Sequence, residues 1–226
     1  MVLNADALFN IGPLEVTNHV VTTWVMIAVL TIVSIIATRN LKEDNPGKLQ
    51  TLAEIAVAWL VNYFSDNLGR KKARQYFPIF ATFFIFIIVS NYLGILPGAG
   101  HFKGFAVPTS SLSVTAALAI LTFFVTHTLG IKERGLKNYL KSFLKPVALL
   151  LPLTLIEQFV RPFSLALRLY GNMFGEEMVT DNLYELFPIG APLIMNVLSL
   201  LFCMIQALVF TMLFSIYVGE AIEEEE

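Results

Sequence analysis

Residues 147–179 read VALLLPLTLIEQFVRPFSLALRLYGNMFGEEMV. The stretch is apolar enough and long enough for a membrane helix, yet Glu157, Arg161, Arg168, Glu176 and Glu177 fall in or beside it. A charge at the bilayer centre costs about 2.5–3.5 kcal/mol on insertion scales, so charges there face a bundle interior or a watery cavity. Helical spacing sorts them. Glu157 and Arg161 stand four apart and can pair, which reads as neutralisation near the cytoplasmic end. Arg168 has no carboxylate three or four positions away. Its near-face neighbours are Ser164, Asn172 and Gly175, small or polar residues that let another helix approach closely. Arginine keeps its charge in almost any environment. Arg168 is therefore a cation that its own helix does not neutralise, and it is too deep to reach the surface by snorkelling. Glu177 lies nine residues on, nearly on the opposite face, and Glu176 lies between the two directions. Each carboxylate either lines a water path or marks the outer membrane boundary, and spacing leaves both readings open.

The rest of the chain fits this setting. Of 226 residues, 56% are hydrophobic and 14% are charged, against roughly 25% charged in soluble domains. A chain this short cannot hide that much apolar surface from water, so lipid is its solvent. The balance excludes disorder, nucleic-acid binding and most soluble enzymes. Cys203 is the sole cysteine, and His19, His101 and His127 are scattered without metal-ligand spacing. No disulfide within the chain, metal site or cofactor is expected.

Spanning helices need about 20 apolar residues. The sequence predicts an all-α integral membrane protein, one multi-pass domain over 1–226. Its helices are expected at 20–37, 77–96, 110–130, 147–178 and 190–219, the last two long and tilted. The first reads as a retained span and not a cleaved signal, since nothing basic precedes it. Segment 49–70 differs. Leu49, Leu52, Ile55, Ala56, Trp59, Leu60, Tyr63 and Phe64 recur at helical spacing between polar residues, which predicts an amphipathic helix in the interface.

Basic residues set the orientation. Arg39, Lys42, Lys48 and Arg70 to Arg74 flank one loop region, and Lys132 to Lys145 fill another. Only Lys103 lies between the second and third spans. The positive-inside rule puts the basic loops in the cytoplasm, the N-terminus outside and the acidic tail, after five crossings, inside.

The last apolar stretch carries Asn196, Ser199 and Gln206. Ser199 and Gln206, seven apart, share a face. Gln206 is the least expected in lipid and seeks a polar partner, while helix–helix packing suits Asn196 and Ser199. Asn91 in SNYLGILPG reads as a packing polar group, His127 as an interface histidine, and His19 and His101 as solvated.

These residues carry a family resemblance. SLALRLYGNMFGEE resembles the signature of subunit a of F-type ATP synthases, in which an arginine sits in an LxLRLxGNMxxxE context; here that arginine is Arg168. Glu177 matches the carboxylate of many bacterial members. MIQALVFTMLFSIY resembles the family's last helix and puts its glutamine at Gln206, and SNYLGILPG resembles its NLxGLxP motif through Asn91. The likeness runs from the first span to the tail. It departs where some relatives carry a histidine and this chain has Ser199, and where Glu176 gives adjacent acids. The segment before the first span is also short.

The resemblance implies a stator subunit of the bacterial plasma membrane, facing a rotating c-ring and joined by peripheral-stalk b subunits. It implies no catalysis of its own, and no P-loop is present. Arg168, Glu177, Gln206, Asn172, Glu176, Asn91 and Ser199 become the candidate ion-translocation residues, with protons as the expected ion. The rival is a secondary transporter or channel using Arg168 to bind an anion. Paired repeats and matching broken helices, the marks of such transporters, are not seen in the sequence. A mere scaffold would leave Arg168 without a reason.

Overall fold

The computed structural model describes residues 7–11, 14–39, 47–95, 107–143, 151–186 and 190–223. The all-α membrane class holds. Among the described residues the helices are α1 (Asn18–Thr38), α2 (Lys48–Ile95), α3 (Leu112–Arg134), α4 (Leu136–Ser142), α5 (Leu151–Leu186) and α6 (Ala191–Ile222). A short antiparallel hairpin, β1 (Ala7–Ile11) and β2 (Leu14–Thr17), precedes α1, and sequence patterning did not anticipate it.

Four of these helices are long and apolar enough to cross a membrane: Asn18–Thr38, 50–95, Leu112–Arg134 and Ile194–Ile222. The fifth predicted crossing, α5, has the length with 36 residues. Its ionisable side chains lower its mean hydropathy below that of the others. Packing divides the chain into two compact units, Met1–Pro108 and Thr109–Glu226.

In the first unit, the predicted interfacial helix and second span form one run that breaks at Gly69. There φ is 73°, a left-handed backbone that glycine adopts without a Cβ penalty. The second arm therefore starts at residue 70, seven residues earlier than expected. Phe64 and Phe80 meet across the break at 5.1 Å between ring centroids. The predicted amphipathic face divides: Leu60, Phe64 and Leu68 are buried, whereas Leu52, Ile55 and Trp59 stay exposed. Asn91 is fully buried beside Ser90 on the second arm, as a packing group would be. His19, expected to be solvated, is half-buried and its Nδ1 is bonded to the Val107 carbonyl at 2.9 Å. His101 lies outside the described residues.

The second unit packs α3 against both α5 and α6, α5 against α6, and α4 against α3. The buried stripe of α3 is Thr115, Leu118, Ala119, Thr122, Thr126, Leu129 and Gly130. Most of these are small, which lets apolar helices approach closely where lipid offers no hydrophobic drive. Thr122 hides its polarity by donating to Leu118 of its own helix at 2.9 Å. Gly130 is required by contact. A Cβ there would come within 2.5 Å of the Tyr139 ring and 3.1 Å of the Ala221 carbonyl oxygen. Tyr139 in turn shares a 2.6 Å hydrogen bond with His127, whose ring lies 4.0 Å edge-on to Phe123. His127 thus ties α4 to α3, a more specific role than an interface histidine.

Candidate functional site: the α5–α6 seam

The buried face of α5 is Leu165, Ala166, Leu169 and Met173. On α6 the buried face is Ser199, Cys203, Gln206, Ala207, Phe210, Phe214 and Val218. These stripes recur every three or four residues, so apolar periodicity alone fixes which way each polar side chain on the two helices points. Three polar groups follow from that rotation.

Midway along the pair, Asn172 donates from Nδ2 to Oε1 of Gln206 at 2.5 Å. Gln206 is buried, and its amide nitrogen has no hydrogen-bond partner among the described residues. One turn further along α5, half-buried Glu176 lies close to the buried Ser199 of α6. The Sγ of buried Cys203 stands 4.0 Å from Glu176 Oε2. Glu176 and Asn172 thus face Ser199, Cys203 and Gln206 along one polar seam. Glu177, the carboxylate first matched to the family motif, is half-buried one residue beyond Glu176. The seam also holds Cys203, which sequence reasoning passed over. Its signal was the i, i+4 relation to Ser199.

At the opposite end, Arg161 pairs with Glu157 at 3.9 Å and with Glu220 of α6 in close contact. Its guanidinium lies 5.2 Å over the Tyr217 ring, a cation–π contact. The predicted Glu157–Arg161 pair is present, and Glu220 and Tyr217 were not foreseen. Nothing short of antiparallel pairing of the two helices brings them to Arg161. A cavity of about 780 Å³ opens here, lined by Thr126, Arg134, Glu157, Arg161, Tyr217 and Glu220 among others.

Between seam and cavity stands Arg168. It is exposed, although Leu165 and Leu169 on either side of it are buried. Among the described residues no carboxylate forms an ion pair with it; the ion pairs of this helix belong to Arg161. Gly171 and Asn172 are exposed on the same side, beside the exposed apolar residues Phe163 and Leu167. Asn91 belongs to the other unit.

The fold and this site define a polytopic membrane protein that carries, among the described residues, an arginine without an ion pair on the exposed face of a helix pair, between a polar seam and a charged cavity. The comparisons narrow this to a family. Residues 20–219 match the family model described as ATP synthase A chain. The chain is 37% identical over 220 residues to "ATP synthase subunit a 2" of Bradyrhizobium sp. (strain BTAi1), covering 97% of this chain and 95% of that one. It is 41% identical over 210 residues to "ATP synthase subunit a 1" of Syntrophotalea carbinolica, covering 91% and 86%. It is 41% identical over 206 residues to "ATP synthase subunit a" of Geotalea daltonii, covering 89% and 86%. The chain belongs to the ATP synthase A chain family.

Proposed function

We propose that this chain is the subunit a of a bacterial F-type ATP synthase, a non-catalytic stator component that passes protons between two half-channels and a rotating c-ring. The observation that carries the reading is Arg168: a cation on the exposed face of α5 without an ion pair among the described residues, in a chain of the ATP synthase A chain family.

The chemistry follows from charge in low dielectric. Each ring hairpin brings a membrane carboxyl group. Protonated, it tolerates lipid; ionised, it does not. A carboxylate at about 4 Å from a guanidinium gains roughly 4 kcal/mol at an effective dielectric of 20, which lowers its pKa. A carboxylic acid arriving at Arg168 therefore gives up its proton to the inner path, leaving the anion beside the arginine. As the ring moves on, that anion takes a proton from the outer path and returns to lipid. Arg168 also separates the two paths, since a proton approaching it meets a fixed positive charge.

The outer path runs along the seam. Glu176 and Glu177 are its carboxylates, Ser199, Asn172 and Gln206 its polar lining, and Asn91 a further polar group of the translocating machinery. The unused donor capacity of Gln206 suits it to bind water or an ionised ring carboxylate. The cavity around Glu157, Arg161 and Glu220 serves as the mouth of the inner path. Peripheral-stalk b subunits hold the chain against the ring's torque. The N-terminus lies outside and the tail inside. The membrane potential supplies about 2.3 kcal/mol per charge per 100 mV.

The test is the company the chain keeps. Purification of the tagged chain from its own membranes should bring with it a small two-helix hairpin with one mid-span Glu or Asp. Cysteine at Gly171, beside Arg168, should cross-link oxidatively to that hairpin. Purification of the chain alone, with anion transport by it in vesicles, would overturn the reading.

A further inference from the structure

Arg161 and Arg168 stand seven residues apart on α5, so an ideal helix puts them within about 20° of one face and about 10.5 Å apart along the axis. The Arg161 guanidinium lies 5.2 Å from the Tyr217 ring centroid, and Arg168 follows two turns on along the same face of α5. A ring carboxylate drawn to one of them is therefore within the field of the other. Two equal attractors in series would hold the anion at the wrong depth. It would then rest beside Arg161, in the mouth of the inner path, instead of beside Arg168.

The two arginines are not equal. Arg161 is flanked by two carboxylates, Glu157 on its own helix and Glu220 on α6. Both of these are about half exposed, at 52% and 50% of their side-chain surface, and both line the cavity. One cation between two anions attracts no third anion. Arg168 has no such partner among the described residues.

We propose that Glu157 and Glu220 are positioning residues for ion transfer at Arg168: they outweigh the positive charge of Arg161, so that the ring carboxylate is attracted at one depth only. The inference rests on the proposed function, and it assigns to this pair a role that a simple inter-helix clamp would not have. A clamp works through its bonds, and each member removed weakens it further. A counter-charge works through the sum, so removing the arginine as well takes away the attractor that the carboxylates offset.

The experiment uses the whole ATP synthase in inverted vesicles, with the amount of the chain in the purified complex measured for each variant. Glu157→Gln combined with Glu220→Gln unmasks Arg161 and should lower ATP-driven proton pumping at least fivefold in complexes that assemble normally. Adding Arg161→Gln to that pair should bring pumping back to at least half of wild type. A triple variant as impaired as the double, or a double variant that pumps like wild type, overturns the proposal. Arg168→Ala runs alongside. Silent there, it leaves the rescue to decide the role of the carboxylates; pumping there overturns the proposed function and this inference with it.

Discussion

Arg161 and Arg168 are one residue type on one face of one helix, two turns apart, and they live in opposite circumstances. Arg161 lies between Glu157 and Glu220, over an aromatic ring, at the edge of a cavity of about 780 Å³. Arg168 lies exposed between buried leucines, with no ion pair among the described residues. In water the contrast would mean little, because exposed ion pairs contribute about 0–1 kcal/mol. In lipid it means a great deal, since a lone charge there persists only where something outside the helix meets it. The difference teaches that a membrane helix can carry several arginines and still present one electrostatic site, provided the others are closed off.

The comparison can be broken by substitution. The largest effect is expected at Arg168→Lys, which keeps a positive charge but replaces a guanidinium by a compact, strongly hydrated ammonium that can lose its proton when buried. ATP-driven pumping should fall by about tenfold or more, whereas Arg161→Lys, with two carboxylates to hold the ammonium ionised, should fall by about twofold or less. Equal losses at the two positions would erase the distinction between them.

Next in size is the outer seam. Glu176→Gln should slow pumping severalfold, because Glu176 is the carboxylate that faces Ser199 and Cys203. Glu177→Gln should also slow it, by less, since Glu177 stands one residue, about 100°, round the helix from the side chain that meets Cys203. Gln206→Leu removes the partner of Asn172 and leaves its amide donors unmet, and should impair transport less completely than Glu176→Gln. Assayed in the same vesicles, a Glu177 effect larger than that of Glu176 would reverse the assignment of the outer carboxylate.

The smallest expected effect lies at the tie between α3 and α4. Tyr139→Phe deletes one hydrogen bond to His127 and should cost about 1 kcal/mol of local stability. Burial pushes the Tyr139 phenol up, with Arg134 opposing. A raised pKa means the protonated phenol is the folded form's preference. Its contribution is complete below the ordinary tyrosine pKa of about 10 and is lost as pH rises through the raised value. Proteolysis of the α3–α4 loop should therefore accelerate at alkaline pH in the parent and show a flatter alkaline response in Tyr139→Phe.

Much of this was legible in the sequence, for definite reasons. Apolar runs located every long helix, because a span's length is set by the bilayer and not by its neighbours, although the second arm of α2 starts seven residues early and α5 runs eight residues past its expected end. The isolation of Arg168 was legible because i, i+3 and i, i+4 positions can be checked by eye. What stayed hidden depends on contacts between elements. Glu220 reads as a residue at the end of a span until α6 runs antiparallel to α5 and brings it to Arg161. Glu176 and Glu177 cannot be told apart by spacing, yet packing turns the first toward Ser199. Spacing set the interfacial helix at 49–70 apart from the span at 77–96; Gly69, with φ at 73°, is the sharp corner that joins them. The hairpin before α1 carries too few residues for strand periodicity to stand out.

The central claim is that Arg168 both receives the ring carboxylate and separates two aqueous paths. Arg168→Ala in the assembled complex tests both halves at once, by measuring ATP-driven pumping and potential-driven passive proton flux on the same vesicles. The account predicts that pumping disappears while passive flux rises above wild type and the chain remains in the complex. An Arg168→Ala complex that assembles, pumps near the wild-type rate and stays proton-tight would contradict it.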